Sequence, residues 1–170
     1  IVPFTLGIVQ TNTYLVADSE AGEAAVIDPA DEGERLVNEA VQRGWRIHAA
    51  WLTHAHFDHL AGVAEVVNHL DPPPSIALHP ADLPLWQIQG GAPFFGLRIA
   101  DPPEPTVALQ HGQILQLGSY TFKVRHCPGH SPGHVIFYCA GQGVAFVGDV
   151  IFRDSIGRTD LPGGDFDTLI

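Results

Sequence analysis

Trp51-Leu52-Thr53-His54-Ala55-His56-Phe57-Asp58-His59-Leu60-Ala61-Gly62 is the stretch around which the chain is organised. Four groups able to ligate a metal, His54, His56, Asp58 and His59, fall within six positions. An apolar run from Ala49 to Leu52 leads in, and a helical pattern leads out. Side chains two apart in an extended segment point the same way, so a strand edge places His54 and His56 on one face. Asp58 and His59 then fall at the turn into a helix and reach a second point in space. Such a cluster suits two neighbouring metal ions better than one.

The run Thr53-His54-Ala55-His56-Phe57-Asp58-His59-Leu60-Ala61-Gly62, an H-x-H-x-D-H segment after a strand, resembles the signature of the metallo-β-lactamase superfamily. Within it the chain resembles the glyoxalase II (hydroxyacylglutathione hydrolase) branch, from Asn12-Thr13-Tyr14 to the Asp-rich end. The resemblance is specific for the superfamily and much less so for the substrate. It implies one domain over residues 1–170 with a four-layer αββα sandwich, two mixed β-sheets flanked by helices. It also implies further metal ligands. His126-Cys127-Pro128-Gly129-His130-Ser131-Pro132-Gly133-His134 is similar to the family's T-P-G-H-T-P-G, whose His corresponds to His130. Gly148-Asp149 matches the family's G-D, whose carboxylate bridges both metals; each carboxylate oxygen can bind a separate cation. The implied set is His54, His56 and His130 at one site, Asp58 and His59 at the other, with Asp149 shared.

Residues around this set carry less. Asp28, in Asp28-Pro29 after a strand, either braces the metal loop or caps the next helix. His126 and His134 read as structural or hydrogen-bonded behind the ligands. Cys127 reads as a small buried residue, although a thiolate there would compete as a ligand. Ile156-Gly157-Arg158-Thr159-Asp160 resembles the G-R-T-D segment of small glyoxalase II-like proteins and of persulfide dioxygenases. Arg158 either binds an anionic substrate group or pairs with Asp160 to hold its loop, the second being favoured. The family's second site has one more His beyond the last residue here, and Asp167-Thr168-Leu169-Ile170 reads as the start of a helix, so a C-terminal piece is expected to be missing. The helical domain that grips glutathione in two-domain glyoxalase II enzymes is not present, which leaves the thiol partner open.

The expected cofactors are two divalent ions, Zn²⁺ first, with Fe or Mn also admitted by N/O ligands. Such ions lower the pKa of a shared water from near 16 towards about 7, and the resulting hydroxide attacks a carbonyl polarised by metal. A thiolate of pKa about 8.5 leaves without a strong acid. The implied function is therefore metal-dependent hydrolysis of a small-molecule thioester such as S-(2-hydroxyacyl)glutathione, with Asp58 orienting the hydroxide. The rival is a persulfide dioxygenase with one Fe(II) held by two His and Asp149. Another hydrolase of the same fold is a further alternative. A scaffold that lost activity is disfavoured by the intact cluster.

Bulk composition agrees. In 170 residues, 19 acids against 8 bases give a net charge of −11, which argues against a nucleic-acid partner. It does not exclude an anionic substrate, because bound dications reverse the local field. Two cysteines make no disulfide framework, no stretch reaches transmembrane length, and cytoplasmic is the default location.

The pattern predicts strands over 4–9, 12–17, 24–27, 47–52 and 76–78, and helices over 31–43, 60–70 and 81–88. Residues 89–105, with Phe94, Phe95 and Leu97, read as an irregular loop pinned by its aromatics or covering the site. Five further strands follow, over 107–109, 114–117, 120–125, 135–138 and 144–147.

Overall fold

The computed structural model describes residues 1–170. The first sheet has six strands in sequential order, β1 (Val2–Leu6), β2 (Thr11–Asp18), β3 (Glu23–Ile27), β4 (Arg46–Trp51), β5 (Ser75–Leu78) and β6 (Val107–Ala108). Its first three strands pair antiparallel through short turns; β3 to β6 run parallel because helical crossovers return the chain each time. Those helices are α1 (Gly33–Gln42), α2 (Phe57–Leu60), α3 (Val63–Asn68) and α4 (Leu83–Gln87). The second sheet has the order β10 (Val144–Phe146), β9 (Val135–Cys139), β8 (Tyr120–His126), β7 (Ile114–Leu117). It is antiparallel throughout, since tight connections such as Gly118-Ser119 permit nothing else. A small hairpin, β11 (Ile151–Phe152) with β12 (Ser155–Ile156), and the single turn α5 (Phe166–Leu169) complete the chain.

The sheets face each other across a core in which Trp51 meets Phe122 edge-on at 5.0 Å and Phe137 at 5.6 Å. Leu36, Val37 and Ala40 of α1 seal the outer face of the first sheet against Leu15, Val26 and Ile47. Leu60, Val63, Leu85 and Trp86 do the same over Ala50, Ile76 and Leu78. Burying each large apolar side chain contributes about 1.5–3 kcal/mol. No helix is long and apolar enough to cross a membrane.

Several expected boundaries move, each for a local reason. The first strand stops at Leu6, because Gly7 and Gln10 adopt left-handed backbone in a turn closed by Gln10 N–H to Gly7 C=O. The helix expected over 60–70 is two helices broken at Gly62. That glycine donates its N–H to Pro29 C=O at 2.8 Å and lies so close to Pro29 and Asp31 that a Cβ would meet their carbonyls at 2.9 Å. The helix expected over 81–88 begins as a 3-10 turn at Pro80 and becomes α4 only at Leu83. The strand near 107 joins the first sheet beside β5, not the second. Residues 89–95 form 3-10 turns, and the segment is anchored by Gly90, Gly91 and Ala92. Phe94 and Phe95 stay 64 % and 50 % exposed; of the two, Phe95 packs on Phe57 with ring centroids 5.6 Å apart, so the aromatics pin the segment only in part.

Candidate metal centre

Parallel strands deliver polar groups from their carboxyl ends, the usual place for sites in such sheets. Asp28 follows β3, the run Thr53 to His59 follows β4, and Asp82 lies just beyond β5. From the second sheet, the β8–β9 loop carries His130 and His134, and the turn after β10 carries Asp149. The two sheets are joined at this spot by Val135 N–H donating to Thr53 C=O at 2.7 Å.

Five of the six expected ligands fall into converging groups, with His54 common to both, and Asp58 stands beside them in neither group. His54, His56 and His130 form one group of converging ligand atoms, and His54, His59 and Asp149 form another. His54 Nε2 is 3.1 Å, and His56 Nδ1 2.8 Å, from His130 Nε2. Asp149 turns one oxygen to each group: Oδ1 is 3.2 Å from His59 Nε2, and Oδ2 is 3.5 Å from His130 Nε2. Asp58 Oδ2 lies 3.6 Å from His59 Nε2 and is held by the Thr11 hydroxyl at 2.9 Å. His54 and His56 achieve this beyond the end of β4, in the extended link to α2, with ring planes at 87° to one another.

The neighbours of these rings fix their tautomers. Thr53 Oγ1 donates its only proton to Asp28 Oδ2 at 2.7 Å, so at 3.0 Å it accepts from His54 Nδ1. His59 Nδ1 donates to Asp28 Oδ2 at 3.0 Å. His130 Nδ1 donates to the Arg158 carbonyl at 2.8 Å. In their neutral forms, the Nε2 atoms of His54, His59 and His130 are therefore bare lone pairs facing one small volume. Two such lone pairs 3.1 Å apart, on His54 and His130, repel unless a cation lies between them. Three nitrogens around one tetrahedral ion, at bonds of about 2.0–2.1 Å, would be roughly 3.3 Å apart. Buried His59 Nε2 has no hydrogen-bond partner of its own. The donor set fits divalent cations.

Charge follows the same plan. Burial, reinforced by the neighbouring imidazoles, holds His54 and His134 well below the usual imidazole value. Burial brings His56 down to about 3 and also lowers His130, so these rings are neutral, the ligating form. His59 goes the other way: burial opposes its charge, but Asp28, Asp149 and Asp58 overcome it and raise its pKa well above the usual value. Asp149 is held low despite burial by His59, His130 and His134.

The sign of a pH effect follows. Four imidazoles neutral in the fold gain protons on unfolding once the pH falls below about 6.5, so their contribution to stability is complete above that pH and is progressively lost as pH falls below it. Each adds a slope of up to about 1.4 kcal/mol per pH unit. His59, charged in the fold, is protonated in both states below about 6.5 and adds no slope there; its stabilisation is lost only as pH rises above that value. The urea midpoint of chelator-treated protein is expected to drop between pH 7 and pH 5; a flat or rising midpoint would contradict this charge assignment.

Asp28 does not cap α1, whose N-cap is Glu32; it accepts Thr53 N–H, Thr53 O–H and His59 Nδ1–H, and so braces the metal loop. His134 is fully buried, stacks on His54 at 4.7 Å and accepts Asp149 N–H on Nε2 at 3.1 Å. The Arg158 side chain is spent on Asp160, with bonds of 2.7 and 2.8 Å, while its carbonyl orients His130. Cys127 belongs to neither ligand group, and burial raises its thiol pKa. His126 donates to Pro132 C=O and stacks on His79 outside the site.

Sequence reasoning missed Asp82. Fully buried, it accepts Ala55 N–H at 3.0 Å, the Ser131 hydroxyl at 2.7 Å and Gly133 N–H, and so ties the two histidine loops together. Its partners are 27 to 51 residues away, beyond the reach of any local signal.

A family model described as the metallo-beta-lactamase superfamily matches residues 6–170. Hydroxyacylglutathione hydrolase GloC of Haemophilus influenzae is 36% identical over 171 residues, covering 100% of this chain and 79% of that protein. Among solved structures, TTHA1623 in a di-iron-bound form is 45% identical with a TM-score of 0.88, over 99% of this chain and 82% of that one. The BLEG-1 B3 metallo-beta-lactamase is 34% identical with a TM-score of 0.87, over 99% and 80%.

Proposed function

The chain belongs to the metallo-beta-lactamase superfamily, and from that premise we propose that it is a metal-dependent thioester hydrolase of the hydroxyacylglutathione hydrolase kind. The observation that carries the reading is the Asp149 carboxylate, which turns separate oxygens to two converging groups of imidazoles. That arrangement calls for two ions, whereas a mononuclear dioxygenase site needs two His and one carboxylate only. The likeness to GloC supports the substrate class. The di-iron form of TTHA1623 supports iron beside zinc as an occupant.

In this reading His54, His56 and His130 would hold one ion, and Asp58 and His59 the other, with Asp149 within reach of both. Bound divalent ions supply the positive charge that acidifies water and polarises a thioester carbonyl. The chain's own groups set the geometry. Asp28 and Thr53 fix the rings of His54 and His59, and the Arg158 carbonyl fixes His130. Thr11 holds the Asp58 carboxylate at the mouth, where it orients the attacking oxygen. His59, which its three neighbouring carboxylates keep charged, would have to give up a proton to serve as a ligand.

The test is hydrolysis of S-D-lactoylglutathione by metal-replete protein before and after chelation. Turnover that is lost with the metal and restored on adding it back is expected. Oxygen uptake with glutathione persulfide, with no thioester turnover, would replace this reading by the dioxygenase one.

A further inference from the structure

Two cavities meet at Asp58. One, of about 270 Å³, is the approach to His59 and Asp149, and polar groups such as Gln10, Thr11 and Asn12 line it. The other, of about 200 Å³, lies beneath the β1–β2 turn, and eight of its twelve lining residues are hydrophobic. Val9 and Asp58 belong to both, so the second cavity opens directly beside the candidate metal centre. Its walls are Leu6, Ala30, Phe57, Ala61, Leu97 and Ile99, drawn from four separate segments of the chain. Its charged groups are Asp31, Asp58 and Arg98, and no uncharged hydrogen-bonding side chain lines it.

We propose that this second cavity is an acyl subsite, selecting substrates whose acyl group is an apolar chain of medium length. The inference rests on the thioesterase reading above and narrows its substrate class. A thioester has two arms. The thiol arm of a peptide-like carrier is polar and must leave into water, which matches the first cavity, the more polar of the two, where eight of seventeen lining residues are hydrophobic. The acyl arm is the part an apolar wall can discriminate. At about 30 Å³ per non-hydrogen atom, the cavity holds on the order of six such atoms. A lactoyl group has three non-hydrogen atoms beyond its carbonyl and would fill about half of it. The 3-10 segment completes the wall: Leu97 and Ile99 follow Gly90, which docks on the metal loop at Ala55 and Phe57, so the same contact that supports the site shapes the pocket.

Each buried methylene contributes about fourfold to binding. Calorimetry of straight-chain carboxylates, the product class, with metal-loaded protein is expected to show hexanoate binding at least tenfold more tightly than acetate. Ala61→Leu, which extends a side chain into the cavity, should cut that ratio below threefold. Ile99→Ala should shift the preference to octanoate. Kinetics with acetyl, lactoyl and hexanoyl thioesters should follow the same order in kcat/KM. A ratio near one in the unmodified protein, or a ratio that neither substitution moves, would overturn the subsite. Carboxylate binding that shows the chain-length gradient without turnover of any thioester would keep the apolar subsite and remove the hydrolase reading.

Discussion

Asp149→Asn is expected to reduce kcat by roughly 10²- to 10³-fold while leaving the protein folded. The substitution preserves size and one oxygen. It replaces the other oxygen with an amide nitrogen, which carries protons and cannot ligate. Since Oδ1 faces His59 at 3.2 Å and Oδ2 faces His130 at 3.5 Å, whichever way the amide turns, one of the two groups loses its carboxylate. Asp58 Oδ2 also faces His59 Nε2, at 3.6 Å, but it is tied to the Thr11 hydroxyl and cannot take the place of the oxygen that faces His130. The backbone should not shift. Asp149 N–H is held by His134, and Gly148 and Gly157 pack so closely on Thr53, His134 and the Asp149 carbonyl that neither has room for a side chain. Metal content should fall from two ions towards one per chain, read by elemental analysis beside kcat at saturating substrate. A variant that keeps both ions and loses less than tenfold in kcat would refute the bridging role.

Much of this site is legible before the fold is known, and the reason is chemical. His54, His56, Asp58 and His59 are close in sequence, so local geometry brings them together. His130 and Asp149 are legible only through resemblance, since nothing in their spacing says they meet the first cluster. What stays hidden depends on long-range contacts or on backbone atoms. The role of Asp28 cannot be decided from the sequence, because its partners Thr53 and His59 lie 25 and 31 residues on. The Arg158 carbonyl that orients His130 has no side-chain signature at all. The fold shows the same division. Hydrophobic periodicity locates most strands and α1. It runs straight through Gly62, where the break is set by contact with Pro29 and Asp31, and it has nothing to detect over 89–95, where Gly90 docks on the metal loop. The hairpin β11–β12 reads as part of a polar loop because two-residue strands have no period to detect.

Asp28→Asn should weaken metal binding at the His59 side by about 10- to 100-fold and destabilise the protein by about 1–3 kcal/mol. Asparagine is the appropriate replacement because Asp28 has φ +49°, a left-handed conformation that Asn tolerates and Ala does not. The carboxylate accepts three hydrogen bonds, from Thr53 N–H on Oδ1 and from Thr53 O–H and His59 Nδ1–H on Oδ2. An amide accepts on one side only. If its NH₂ faces Thr53 N–H, two donors collide in a buried place. If it faces Oγ1 and His59, the Thr53 hydroxyl must reverse and His59 must accept on Nδ1. The proton then moves to His59 Nε2, the atom that has to be bare to ligate. His54 is disturbed as well, since its Nδ1 proton loses Thr53 Oγ1 as a free acceptor. The second ion should therefore be lost preferentially, and the number of protons released on loading should change. Metal titration followed by calorimetry in two buffers of different ionisation enthalpy measures both quantities. Unchanged affinity with unchanged proton release would show that Asp28 serves the fold alone. Loss of stability with full retention of both ions would lead to the same conclusion.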